Sequence, residues 1–220
     1  MRRAGSAPRA AFAAVGALIF ILVPAAPAGT APVAPGECVS DPGLETAEPV
    51  LNQLFGTDAR LCVTRDLARG SNYDPVSHTV YLDARQLLDI NGAALGIPKF
   101  KPREKQSAPL SPVVLGYVLG HEWAHAMQHA GRLPVDPRGA RTQVYLELQA
   151  DCVAGYLLGY SVQECQFGLE DIRKANRAAR KLGDPLLAHQ SHGRPAQRQK
   201  VLDMGIERGI QKRELQQAWR

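Results

Sequence analysis

The chain has 220 residues, with 26 Lys and Arg against 21 Asp and Glu, a formal net charge of +5, 45% hydrophobic residues and four cysteines. That is enough chain for one domain whose core needs no disulfide staples. Three of the basic residues, Arg2, Arg3 and Arg9, stand in the first 28 with no acid beside them, so the +5 falls to +2 for the remainder, a balance too small for a dedicated nucleic-acid binder.

The three arginines precede an uncharged run from Ala10 to Val23 and then Ala26-Pro27-Ala28. A run of about 14 residues is shorter than the roughly 20 that a bilayer-spanning helix needs, so residues 1–28 read as a secretory signal peptide, or, if retained, as an N-terminal membrane tether. The expected location is extracytoplasmic, either secreted or in a bacterial cell envelope. Residues 29–43 form a Pro/Ala-rich linker, and residues 44–220 a single domain. Four cysteines in an oxidising compartment predict two bridges. Of the three possible connectivities the local one, Cys38–Cys62 with Cys152–Cys165, is favoured.

Within the domain, Leu44 to Phe55 reads as a short helix, and Ala59 to Thr64 and Thr79 to Leu82 as strands separated by a turn at Gly70 to Pro75. His78, just before the second strand, reads as an exposed loop residue. Gly92 to Pro112, with four prolines and the basic cluster Lys99, Lys101, Arg103 and Lys105, reads as a solvated loop.

An apolar run then begins near Pro112 and ends at Gly131, and Leu115, Val118, Leu119 and Met127 supply the inward stripe of a helix. It contains His121-Glu122-Trp123-Ala124-His125. Four residues on a 3.6-residue turn is a rotation of about 40° and a rise of about 6 Å, so both imidazoles can lean toward one ion. Glu122 sits about 100° round from His121, beside the metal, where a carboxylate can take a proton from an activated water. A third ligand is needed. His129 lies about 12 Å of rise from His121, too far for one straight helix to close on one ion. The extended pattern, with a glycine and a further histidine after the second ligand, fails because those places hold Gln128 and Gly131.

The search moves to a second helix, Arg141 to Tyr160, reached through a turn marked by Gly131, Pro134, Pro137 and Gly139. An antiparallel pair lets Glu147 face the histidines as third ligand, and Asp151, one turn on, is placed to accept the outer N–H of a ligating imidazole. Two histidines and a glutamate leave the fourth position of one zinc ion open, the catalytic arrangement. Cys152 points about 100° off that face and is not a ligand. Glu164 to Leu182 reads as a further helix, its Arg173, Lys174, Arg177, Arg180 and Lys181 as solvated surface. Leu186 to Arg194 is a loop holding His189 and His192, and Pro195 opens a last helix to about Arg208.

These marks together resemble the putative neutral zinc metallopeptidase family of bacterial envelope proteins. They are Tyr73-x-Pro75 followed by Val80-Tyr-Leu-Asp83, His121-Glu-x-x-His125-x-x-Gln128, Glu147-Leu-Gln-Ala-Asp151-Cys-x-Ala-Gly155, Gly183-Asp184, and His192-Gly-x-x-x-Gln197-Arg198 with Gly205 and Gly209 beyond. Asp74 stands where the family usually has cysteine, so no family disulfide pairing is carried over. The resemblance implies an α+β, zincin-like fold, mostly helical with a small N-terminal sheet around the HExxH helix, and hydrolysis of peptide or protein substrates. In zincins an edge strand holds the substrate backbone, and Thr79–Asp83 is the candidate here, with a purely core strand as the alternative. His192, matching the family block, is favoured over His189 as a second donor to the oxyanion of the tetrahedral intermediate. Two other functions are compatible with the motifs: a zinc-binding envelope module without proteolytic activity, and a zinc amidase acting on cell-wall peptides.

Overall fold

The computed structural model describes residues 38, 42–64, 67, 70–97, 108–134, 142–163, 167–184 and 192–211. The expected leader, most of the linker, the Lys99 to Lys105 cluster, Cys165 and His189 lie outside the described residues. The elements in chain order are α1 (Pro42–Phe55), β1 (Arg60–Thr64), β2 (Asn72–Asp74), β3 (Thr79–Asp83), α2 (Ala84–Ala94), α3 (Pro112–His129), α4 (Gln143–Gln163), α5 (Leu169–Leu182) and α6 (Pro195–Ile210). The result is the expected α+β fold, helical with one small sheet.

The sheet order is β1-β3-β2, with β1 parallel and β2 antiparallel to β3. This corrects the expectation for Thr79–Asp83. Val80 and Leu82 are buried, and β3 lies between the other two strands, Val80 pairing with Leu61 on one side and Tyr73 on the other, so it is central rather than an edge strand. The outer strands are β1 and β2, and β2 forms inside the stretch read as a turn. Asp74 closes the hairpin by accepting from Val76 N at 3.1 Å and from Ser77 Oγ at 2.6 Å.

Helix α2 follows β3 without a loop and was not expected. Asp83 caps it, accepting from Gln86 N at 2.9 Å. Its buried stripe of Leu87, Ile90, Asn91 and Ala94 has helical spacing, but the asparagine interrupts the apolar pattern. Asn91 is tolerated in the core because it donates to Pro109 O at 3.0 Å and accepts from Ser111 N at 2.9 Å, tying α2 to the start of α3.

Helix α3 is buried on almost every face, as a mostly apolar sequence with no Lys or Arg and a single acid, Glu122, allows. Pro112 opens it, and Gly131 at φ 67° ends it, with Arg132 N donating to Met127 O and Gly131 N to Gln128 O. Trp123 Nε1 donates to Asn52 Oδ1 at 3.2 Å and fixes α1 against it. Helix α5 starts at Leu169, later than the expected Glu164, because Gly168 is extended and its N–H is taken by the Asp171 carboxylate at 3.1 Å.

Close helix approach brings the functional segments together. A Cβ at Gly120 would stand 3.1 Å from Ala154 Cα, so α3 and α4 meet almost backbone to backbone beside His121. Helices α4 and α6 interlock more tightly: a Cβ at Gly155 or Gly159 would fall on the Leu202 or Ile206 carbonyl oxygen, and one at Gly205 or Gly209 on that of Cys152 or Tyr156. Cys38 and Cys62 are joined in a disulfide, as expected. Cys152 is a free thiol, which corrects the expected pairing with Cys165; it lies in the α4–α6 packing, where burial pushes the thiol pKa up. No described helix is long and apolar enough to cross a membrane.

Because neither helix backbone can yield at these contacts, Gly205→Ala is expected to lower unfolding stability by about 1–3 kcal/mol in urea titrations. An unchanged midpoint would show that α6 does not approach α4 this closely.

Candidate metal centre

Helix α3 presents His121 and His125 on one face, and α4 presents Glu147 opposite them. Their donor atoms all lie within 4.8 Å of one another. His121 Nε2 is 3.2 Å from Glu147 Oε2, His125 Nε2 is 3.6 Å from Glu147 Oε1, and the two Nε2 atoms are 3.2 Å apart.

The outer nitrogens explain why both Nε2 atoms face inward. His121 Nδ1 stands 3.0 Å from Asp151 Oδ1. A carboxylate can only accept, so the imidazole donates there. His125 Nδ1 stands 2.8 Å from Gln128 Oε1. The amide orientation is set by its other end, since Gln128 Nε2 donates to Leu146 O at 2.8 Å and to Gln149 Oε1 at 3.0 Å. Both imidazoles therefore direct Nε2 toward Glu147, whose Oε1 also accepts from Gln143 Nε2 at 2.8 Å.

Two Nε2 lone pairs facing each other at 3.2 Å repel unless positive charge sits between them. Without a cation that charge is a proton. Burial disfavours the imidazolium of His121, but the hydrogen bonds it donates to the Asp151 and Glu147 carboxylates outweigh burial and hold its pKa at about 10. Burial likewise raises Glu147, yet the histidines hold its pKa down at about 2. A divalent cation can replace the proton. Donors about 2.0–2.1 Å from a tetrahedral ion stand about 3.3 Å apart, close to the observed nitrogen separation, and two imidazoles with one carboxylate are a zinc donor set. The residues present fit the metal.

Glu122 adjoins the donor group without belonging to it. Its side chain is buried, makes no hydrogen bond to a described residue and has its pKa raised by burial. It lines a cleft of about 720 Å³ together with the three donors, Tyr73 and Asn72 of β2, and His192. His192 is half exposed on the opposite rim, where Asp184 accepts from its backbone N at 2.9 Å and lies 3.3 Å from its Nδ1. His129 also lines the cleft but stays outside the donor group, its ring 5.1 Å from that of His78 and 5.9 Å from that of Tyr73. His78, read as a loop residue, stands at φ 52° with its Nδ1 3.1 Å from the Tyr73 hydroxyl.

Three supporting residues carry no assigned role in the sequence reading. Tyr117, one turn before His121, donates to Asp151 Oδ1 at 2.7 Å. Arg198 donates from Nε to Asp151 Oδ2 at 2.7 Å and from a terminal nitrogen to Oδ1 at 2.8 Å. Gln128 sets the His125 tautomer. The available signal was helical spacing for Tyr117 and Gln128; nothing local points from Arg198 to Asp151.

A sequence profile of the family described as "Putative neutral zinc metallopeptidase" matches residues 45–199. Two relatives, each named "Uncharacterized protein YpfJ", from Escherichia coli K12 and Escherichia coli O6:H1 strain CFT073, are 31% identical over 161 residues, covering 67% of this chain and 50% of theirs. The chain thus spans about half the length of the curated relatives it matches. No solved structure matches it. With the two histidines and the glutamate already facing one another across α3 and α4, the match over residues 45–199 places the chain in the putative neutral zinc metallopeptidase family.

Proposed function

We propose that this chain is an exported zinc-dependent peptidase that hydrolyses peptide bonds in the cleft between β2 and the α5–α6 rim. The observation that carries the reading is the convergence of His121 Nε2, His125 Nε2 and Glu147 on one point, with a buried carboxyl, Glu122, lining the same cleft and left out of the donor group. Three protein donors leave a coordination position for substrate or water, whereas a purely structural site is closed by a fourth. Zinc bound there supplies Lewis acidity toward the scissile carbonyl.

The chain's own groups do the rest. Glu122 takes the proton of the attacking water and passes it to the leaving amine. His192, braced by Asp184, donates to the oxygen on which negative charge develops. An extended substrate backbone adds to the edge of β2, where Asn72 and Tyr73 line the cleft, in place of the central β3. Residues 1–28 serve as the export leader, and the Cys38–Cys62 disulfide accords with an oxidising compartment.

Glu122→Gln is expected to lower turnover on a peptide library by at least 10²-fold while one equivalent of zinc is retained, whereas His121→Ala loses both zinc and activity. Full activity in the glutamine variant would remove Glu122 as the base. His192→Ala is expected to lower kcat about 10²-fold with zinc content unchanged; loss of zinc instead would make the residue structural. Proline at Asn72, which distorts the β2 edge, should raise KM for peptides by about tenfold with little change in zinc content, and unchanged kinetics would rule out strand addition there. Running the same assays on purified cell-wall material separates a protein peptidase from a wall amidase.

A further inference from the structure

Arg198 is 2% exposed and Asp151 is fully buried, 47 residues apart in sequence. The guanidinium grips the carboxylate with two bonds, donates to the Tyr117 hydroxyl at 3.1 Å, stands 3.4 Å from His121 Nδ1, and donates to the Leu182 carbonyl at 3.0 Å. Each contact has a consequence. The paired bonds fix where both Asp151 oxygens lie, and Oδ1 faces His121 Nδ1. The Leu182 bond fixes the end of α5, which runs through Gly183 into Asp184, the partner of His192. That rim is narrow, since a Cβ at Gly183 would stand 2.6 Å from Pro195 N.

The placement of Arg198 follows from α6. Arg198, Leu202, Gly205 and Gly209 recur at helical spacing and are all buried. Gly205 and Gly209 let this face sink against α4, where Asp151, Gly155 and Gly159 recur every four residues. The glycine contact thus sets the depth at which the guanidinium arrives.

We infer that Arg198 is a positioning residue for the metal centre, acting through Asp151 to aim His121 Nε2 at the cation and through Leu182 to hold the His192 rim against the same cleft. The inference rests on the zinc-site reading above. A lysine cannot replace it, because a single ammonium does not reproduce the planar fork that meets Asp151, Tyr117 and Leu182 together.

The test is zinc affinity of the full chain by chelator competition, with the absorption spectrum of the cobalt-substituted protein and the melting temperature without metal measured alongside. If wild type takes up no zinc, the site reading itself fails. With wild type binding one equivalent, Arg198→Lys and Arg198→Gln are expected to raise the zinc Kd about 10–100-fold and to shift the cobalt bands, as loss of an outer hydrogen-bond partner does. Folded Arg198 variants with Kd within twofold of wild type, merely melting lower, would overturn the inference. For a variant unfolded without metal the readout is the zinc concentration that restores the fold, expected to be 10–100-fold above that for wild-type occupancy. Restoration at the wild-type concentration, or none at any concentration, would overturn it equally.

Discussion

The approach of α3 to α4 at Gly120 and Ala154 is the constraint on which the site depends. Helix axes commonly pack 8–10 Å apart, the distance being set by the side chains between them. Imidazole and carboxylate side chains reach only a few ångströms from their own helices. They converge on one point because the residue next to His121 has no side chain and the one facing it is alanine. A larger residue at either place would separate the donors by more than metal coordination tolerates.

The second constraint is electrostatic. His121, Glu147, Asp151 and Arg198 are all buried, and an isolated charge in such surroundings is costly unless paired and hydrogen-bonded. Here each charge is opposed by another and the polar atoms are shared out: Asp151 between Arg198, Tyr117 and His121, and Glu147 between His121 and Gln143. The arrangement that makes the buried charges tolerable also sets which nitrogen of His121 faces the cleft, while Gln128 does the same for His125. Glu122 differs. Lacking a hydrogen bond to any described residue, it has its proton affinity raised by burial beside the donor group.

Much of this was legible along the chain. Two histidines four apart on an apolar helix, with no third ligand on the same helix, require a donor from elsewhere, and Glu147 with Asp151 one turn later on a second, antiparallel helix offers one. The longer elements were legible too, because α3 is a long apolar run between Pro112 and Gly131 and α6 opens at Pro195. The short elements were not. Strand β2 is three residues long, held by pairing to β3 rather than by its own pattern. Helix α2 hides its period behind a buried asparagine whose partners lie 18 and 20 residues away. The edge assigned to Thr79–Asp83 failed for a related reason: whether a strand is central or at an edge depends on a neighbour that local sequence did not reveal.

What the sequence determined by itself was the local stereochemistry: which side chains share a helix face, which residue types can hold a cation or carry a proton, and where helices can begin and end. The fold alone decided which distant faces meet. Arg198 reaches Asp151 because four glycines let α6 settle on α4, and Cys152 lies in that packing as a buried free thiol. Neither outcome is written in local spacing, since each follows from the depth to which one backbone can sink against another.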